Sequence, residues 1–376
     1  MSKNPQRALR TPLCDLLGCD YPVVQTAMGW VADARLVAAT CNAGGFGFLA
    51  GATIEADQLE AEILKVKSLT PRQFGLNFHM WQPNAKQVID LVIQHSDRIR
   101  AVSYGRGPDK ATIQRFKDAG VLCMPTVGAV KHAVKAIDMG ADIVTVQGGE
   151  GGGHTGSVPT SILLPQVLDA VRVPVVAAGG FYDGRGLAAA LAYGAVGIAM
   201  GTRFLMTSDS PVPDATKAHY VAVDDTAKIR VSYAVDGMPQ RHIDNAYLLH
   251  LEGASGLGRV LTALQCAWKW KARTGMSTGF MLRTALKALR EDGMSVAQTL
   301  MAANAPVVIQ RSIVDGRPDE GVLPSGQVAA AIGQLQSCAE VIDAIVRQAQ
   351  ARLDALAALR APLATEQIGV LREALS

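Results

Sequence analysis

Between Leu13 and Phe204, eight short apolar runs alternate with longer amphipathic stretches, and this rhythm constrains the fold more than any other feature of the chain. The runs are Pro22–Gln25, Gly45–Leu49, Phe74–Asn77, Arg100–Ser103, Val121–Thr126, Ile143–Gln147, Val173–Ala177 and Gly197–Met200. The stretches between them include Ile54–Ser68, Ala85–His95, Lys110–Ala119 and Val130–Met139, with apolar residues at helical spacing. Strands alternating with helices form βαβ units and a parallel sheet. The runs are continuously apolar rather than alternating, which fits a sheet covered on both faces.

Eight strands match a (β/α)8 TIM barrel, with a doubly wound open sheet as the rival. Two features favour the barrel. Asn77, Gln147 and His154 stand just beyond strand ends, where barrel enzymes carry their chemistry. Gly140-Ala-Asp142 and Gly194-Ala-Val196 repeat one helix-to-strand turn, each glycine closing a helix. After Phe204 the rhythm stops. Ser208–Asp214 is rich in proline and aspartate, and helical patterns follow at Ala215–Val223, Ala246–Glu252, Leu257–Lys271, Phe280–Glu291 and Ser295–Ala303. The expected organisation is therefore a barrel from 1–204 and 316–376, with a mainly helical cap at 205–315 inserted after the eighth strand. A helix from Val328 returns to the barrel. The amphipathic stretch Gln336–Leu359 packs either on the barrel or on a second copy of the chain, as a homodimer.

At 376 residues, 49% hydrophobic and 18% charged, the chain can bury a large core and is not globally disordered. A formal charge of +3, with no basic run interleaved with aromatics, does not point to nucleic acid. Cys14, Cys19, Cys41, Cys123, Cys266 and Cys338 are scattered without metal-ligand spacing, so free buried thiols are expected and no metal. The polar start of the chain lacks an apolar signal segment, and no apolar stretch approaches the roughly 20 residues needed to span a bilayer. The expectation is a cytoplasmic protein with a small-molecule substrate and no membrane partner.

Three segments carry chemistry. The first is Gln147-Gly-Gly-Glu-Gly-Gly-Gly-His154-Thr-Gly156, directly after a strand. Its glycines let backbone approach a ligand closely, and their amides can gather around an anion. The second, Ala177-Ala-Gly179-Gly180-Phe181, and the third, Met200-Gly201-Thr202-Arg203-Phe204, follow the seventh and eighth strands. Turns at those two strands form the phosphate site of many barrels, and two glycine pairs one βα unit apart fit it. Ala27 and Met28, after the first strand, could lay backbone against a planar ring. Asn77 could serve a pyrimidine edge, or be a turn residue. His154 closes the glycine loop and suits proton transfer near neutral pH. Glu150 reads as a local cap rather than a catalyst. Arg203, Arg241 and Lys271 are candidates for an anionic substrate tail, or solvated surface residues. No Ser/His/Asp nucleophile arrangement, HExxH motif, P-loop or EF-hand occurs.

In these motifs the chain resembles the nitronate monooxygenase (2-nitropropane dioxygenase-like) family, which includes quinone reductases and enoyl-thioester reductases. The resemblance rests on Thr26-Ala-Met-Gly29, Asn42-Ala-Gly-Gly-Phe-Gly47, Gly75-Leu-Asn77, Gln147–Gly156, Ala177-Ala-Gly-Gly180, Met200–Phe204, Ala302–Pro306 and Ser325-Gly-Gln327. It implies FMN held by Ala27, Met28, Asn77, Thr126, Gln147, Gly152, Gly179, Gly180, Gly201 and Thr202, with His154 as acid/base. Thr126 stands where some relatives carry lysine, and Gln147 where many carry aspartate. NADH or NADPH is the implied reductant. A narrower resemblance, in Val146–Gly156, Ala177–Ala190 and Val235-Asp-Gly-Met-Pro239, is to the branch that degrades steroid C and D rings as CoA thioesters of a methyl-indanedione. It implies redox chemistry on a ketone or enoyl acyl-CoA. Nitronate oxidation and NAD(P)H:quinone reduction are the alternatives on the same cofactor. A phosphate-binding barrel lyase or isomerase without flavin is the alternative outside it.

Overall fold

The computed structural model describes residues 9–359 apart from 81, 83, 106 and most of 256–303. Its strands, in chain order, begin with β1 (Val23–Gln25), β2 (Phe46–Leu49), β3 (Phe74–Asn77), β4 (Ile99–Ser103), β5 (Leu122–Cys123) and β6 (Thr126–Val127). There follow β7 (Val144–Gln147), a two-residue β8 (Gly153–His154), β9 (Val175–Ala178) and β10 (Gly197–Met200). All pairings in the large sheet are parallel, in the order β5-β4-β3-β2-β1-β10-β9-β7-β6.

The two ends of that order are halves of one strand. Pro125 sits between β5 and β6 and has no N–H to give a ladder. On one side, the Met124 and Thr126 amides donate to the carbonyls of Val102 in β4 and Tyr104 just beyond it. On the other, the Thr145 amide of β7 donates to the Pro125 carbonyl at 2.8 Å. The sheet therefore closes into an eight-stranded barrel and leaves no open edge.

Helices α1 (Pro12–Leu17), α2 (Ala34–Asn42), α3 (Leu59–Leu69), α4 (Ala85–Gln94), α5 (Lys110–Asp118), α6 (Val130–Met139), α7 (Thr160–Ala170) and α8 (Gly184–Tyr193) accompany these strands. Asp33, Asp109 and Asp183 cap α2, α5 and α8 by accepting backbone N–H groups. Gly140 and Gly194 end α6 and α8 at φ 112° and 104°, as the repeated turn required. Helix α1 plugs the lower end of the barrel: Leu13, Cys14 and Leu17 pack with Phe46, Phe48, Met124 and Val176 of the interior. Gly75 in β3 has no side chain because the Phe48 ring occupies that space.

Beyond β10 lie α9 (Thr202–Leu205), α10 (Asp214–Val221) and a hairpin of β11 (Ile229–Ser232) and β12 (Gln240–Ile243). Then come α11 (Ala246–Gly253), α12 (Asn304–Ile313), β13 (Leu323–Pro324) and α13 (Cys338–Ala358). The hairpin adds two strands to a segment expected to be mainly helical, alongside helices α10, α11 and α12. Strand β12 pairs antiparallel with β11, β13 and β8, forming a small sheet over the barrel mouth. Its buried positions include Ser232, Gln240 and His242, so its inward face lacks the apolar alternation that reveals a strand. The helical patterns expected at Phe280–Glu291 and Ser295–Ala303, and much of Leu257–Lys271, fall outside the described residues. A short 3-10 turn covers Gln327–Ala331, where a helix was expected to start. Helix α13 begins with a capping box of Ser337 and Glu340, and packs on α8 and α2, closing the helical ring. All six cysteines are free and buried. No helix among the described residues is long and apolar enough to cross a membrane.

Candidate active site

The mouth at the C-terminal ends of the strands collects the residues singled out in the sequence. Gly179 and Gly180 leave β9 at φ 89° and 82°, a conformation that costs an L-residue roughly 1–2 kcal/mol. Gly201 and Thr202 follow β10 one unit away. Among the described residues, the backbone amides of Gly179, Gly180, Gly201 and Thr202 donate no hydrogen bond. Unspent amides on two adjacent turns suit a phosphate. The buried Thr202 hydroxyl accepts from the Gly326 amide at 2.9 Å, which leaves its own proton available to an anion.

The glycine loop after β7 is held at several points. The Glu150 carboxylate accepts from the Thr160 amide at 3.0 Å and from the Thr160 hydroxyl at 2.8 Å, capping α7. This is the local role its position suggested. A Cβ on Gly152 would lie 2.5 Å from the Gly326 amide nitrogen, so the close approach to Ser325 and Gly326 requires glycine. Gln147 donates from Nε2 to the His154 carbonyl at 3.0 Å, and Asn77 donates from Nδ2 to the Ser103 carbonyl at 3.0 Å. Each amide keeps its carbonyl oxygen for another partner. Ala27, Met28 and Thr126 are half-buried at the ends of β1 and β6. Met28 lies beside Gly201: a Cβ there would be 3.4 Å from its sulfur.

His154 presents a half-exposed ring on β8, and its Nε2 lies 2.8 Å from Oδ2 of Asp236. Asp236 belongs to the turn between β11 and β12, and its side chain is 5% exposed. Its Oδ1 accepts the Met238 amide at 3.0 Å, and its Oδ2 also accepts from Gln240 Nε2. Burial pushes the Asp236 carboxyl upward, but His154, Met238 and Gln240 together outweigh burial and hold it below the ordinary aspartate range. Sequence reasoning missed Asp236 as a functional residue. In Asp236-Gly-Met-Pro239 it reads as a turn former, and it is one: Gly237 has φ 80°.

Two further histidines face this group. His242 follows Gln240 on the same face of β12, is fully buried, and has no hydrogen-bond partner for either ring nitrogen among the described residues. Burial drives it down to about 4, so it stays neutral. His79, beyond β3, is also pushed down, by burial first and then by the nearby His154.

The basic candidates are otherwise engaged. Arg203 is buried, donates to the Met206 carbonyl at 3.1 Å, and is lowered by burial to about 10. Arg241 donates to the Gly149 carbonyl at 2.7 Å and so ties the hairpin to the glycine loop. Lys271 is exposed and donates to Thr278 at 2.8 Å. No metal-binding group of acidic, histidine or cysteine side chains occurs among the described residues.

A closed parallel barrel with two amide-lined turns and a half-exposed histidine at its mouth suits an enzyme that binds a phosphorylated cofactor. The sequence profile of nitronate monooxygenase matches residues 10–348, and the chain belongs to the nitronate monooxygenase family. It is accordingly a flavin-dependent oxidoreductase, which sets aside the lyase or isomerase alternative.

Two relatives match nearly end to end. The (3aS,4S,5R,7aS)-5-hydroxy-7a-methyl-1-oxo-octahydro-1H-indene-4-carboxyl-CoA dehydrogenase of Rhodococcus jostii (strain RHA1) is 49% identical over 94% of this chain and 99% of its own. The enzyme of the same name from Mycobacterium tuberculosis (strain ATCC 25618 / H37Rv) is 48% identical over 93% and 99%. Among solved structures, FabK from Thermotoga maritima superposes with a TM-score of 0.75 at 27% identity, covering 93% of this chain and 99% of FabK.

Proposed function

We propose that this chain is an FMN-dependent oxidoreductase acting on a ketone or enoyl acyl-CoA of steroid degradation, with His154 as its acid/base. The observation that carries the proposal is the His154–Asp236 pair, held at the barrel mouth beside the unspent amides of Gly179, Gly180, Gly201 and Thr202. The end-to-end similarity to two dehydrogenases named for a bicyclic carboxyl-CoA supports the substrate class.

The turns at Gly179, Gly180, Gly201 and Thr202 would hold the phosphate of FMN, and Ala27, Met28, Asn77, Thr126, Gln147 and Gly152 would hold its ring system. Bound flavin supplies the two-electron redox partner that no side chain can provide. His154 takes or gives the proton that accompanies the electrons, since its ring is both exposed and anchored. The segment 205–315 covers the bicyclic acid, and its hairpin delivers Asp236 and Gln240. NADH or NADPH serves as reductant where the reaction runs toward reduction.

The test is anaerobic mixing of purified enzyme with the CoA thioester named for the Rhodococcus relative, with alkyl nitronates, and with NADH or NADPH plus quinone. Fastest bleaching of the flavin band by the thioester supports the proposal. Bleaching by nitronate alone, or by nicotinamide with quinone turnover alone, replaces it with the corresponding alternative.

A further inference from the structure

His154 and its anchor come from different parts of the molecule. His154 sits on the loop after β7 of the barrel, whereas Asp236 and Gln240 sit on the hairpin placed across the mouth. Strand β8 pairs with β12, placing His154 opposite Gln240 and fixing the ring relative to the hairpin. Two side-chain donors converge on Oδ2 of Asp236: Nε2 of His154 at 2.8 Å and Nε2 of Gln240. Oδ1 is taken by the Met238 amide. Asp236 is held below the ordinary aspartate range and so faces the ring as an ionised carboxylate that only accepts, which puts the ring proton on the Nε2 lying 2.8 Å from it; Gln240 Nε2 lies 3.2 Å from the same nitrogen. Nδ1 has no hydrogen-bond partner among the described residues.

We propose that Asp236 is the positioning residue for His154, holding the ring by Nε2 so that protons exchange with substrate at Nδ1. This rests on His154 being the acid/base. The surroundings direct the carboxylate's charge to that one ring. His242 lies close enough to feel Asp236 but is kept neutral by burial. Arg241 projects from the other face of β12 to the Gly149 carbonyl, and Glu150 is spent on Thr160. His79 also meets the field of His154. The hairpin is thereby part of the acid/base apparatus as well as a cover. A chain that kept the barrel but lost the turn at Asp236 would hold His154 in neither orientation nor tautomer.

The tautomer is read directly by nitrogen-15 NMR of histidine-labelled holoenzyme, with the His154 signals assigned by their loss in His154→Gln. The expected neutral form has a protonated Nε2 and an unprotonated Nδ1; the opposite assignment overturns the proposal in the wild-type protein alone. In Asp236→Asn the Met238 amide still claims the side-chain oxygen, so an NH2 group faces Nε2 and the ring carries its proton on Nδ1.

With the Rhodococcus relative's CoA thioester as substrate, the rate of flavin reduction in Asp236→Asn falls about tenfold to a hundredfold, while flavin content and KM hold. If His154→Gln slows the reaction and Asp236→Asn changes neither rate nor tautomer, Asp236 is structural only. If His154→Gln leaves the rate unchanged, the acid/base role of His154 fails instead.

Discussion

The Gly326 amide donates to the Thr202 hydroxyl at 2.9 Å, joining the segment that returns from the insertion to the turn after the last barrel strand. Gly326 also lies against Gly152, and the neighbouring Gln327 amide donates to the Glu150 carbonyl at 3.0 Å. The chain's long excursion away from the barrel is thus stitched back at the phosphate turn and at the glycine loop together.

Replacing Thr202 by valine keeps the shape but strands the buried Gly326 N–H and removes a phosphate donor. An unsatisfied buried donor costs about 1–3 kcal/mol. Flavin affinity is expected to fall about tenfold or more, measured by fluorescence titration of apoprotein with FMN. Unchanged affinity would remove Thr202 from the cofactor site.

The two turn glycines separate conformational strain from crowding. A Cβ on Gly180 would meet Glu150 side-chain carbons at 3.5 Å or more, so Gly180→Ala carries mainly the roughly 1–2 kcal/mol of its left-handed backbone. A Cβ on Gly179 would lie 2.9 Å from the Gly148 carbonyl oxygen, a backbone atom that cannot swing away. Gly179→Ala should therefore lower both the melting temperature and flavin content more than Gly180→Ala, by thermal melts and absorbance. The reverse order would contradict this packing.

His242 makes stability depend on pH. Its value falls from 6.5 when unfolded to about 4 when folded, so between those limits the unfolded chain binds a proton that the folded chain does not. Stability is at its full level above about 6.5 and declines as the pH drops toward about 4, by an amount on the order of 3 kcal/mol. Asp236, whose pKa is lowered, has the same sign but acts further into acid: its contribution is present above 3.8 and is lost as pH falls through its folded value. Urea melts of wild type and His242→Leu at fixed flavin loading test this. The wild-type curve should fall more steeply with acidification between about 6.5 and 4, and parallel curves would count against the assignment.

The parts of this molecule legible in the sequence are those where one physical requirement dominates. Barrel strands are buried on both faces, so the runs from Pro22–Gln25 to Gly197–Met200 are mostly apolar, with polar residues gathered at their ends, and mark themselves. Glu150 could be read as a cap, and it holds the start of α7. Where two requirements overlap, the sequence is silent. Gln240 and His242 are buried polar residues on a strand, so hydrophobic periodicity passes over the hairpin. Asp236 satisfies its own turn through Met238, which hides the second carboxylate oxygen aimed at His154. Arg203, a candidate for an anionic tail or a solvated surface, is instead buried, with its guanidinium donating to the Met206 carbonyl.

The central claim is that these strand ends hold FMN for redox chemistry, and the visible absorption spectrum of the purified protein, with mass identification of whatever heat releases, tests it most directly. The account predicts a yellow protein that releases FMN, with Thr202→Val and Gly179→Ala purified partly or wholly colourless. A protein that is colourless as isolated and takes up no FMN on reconstitution would contradict it.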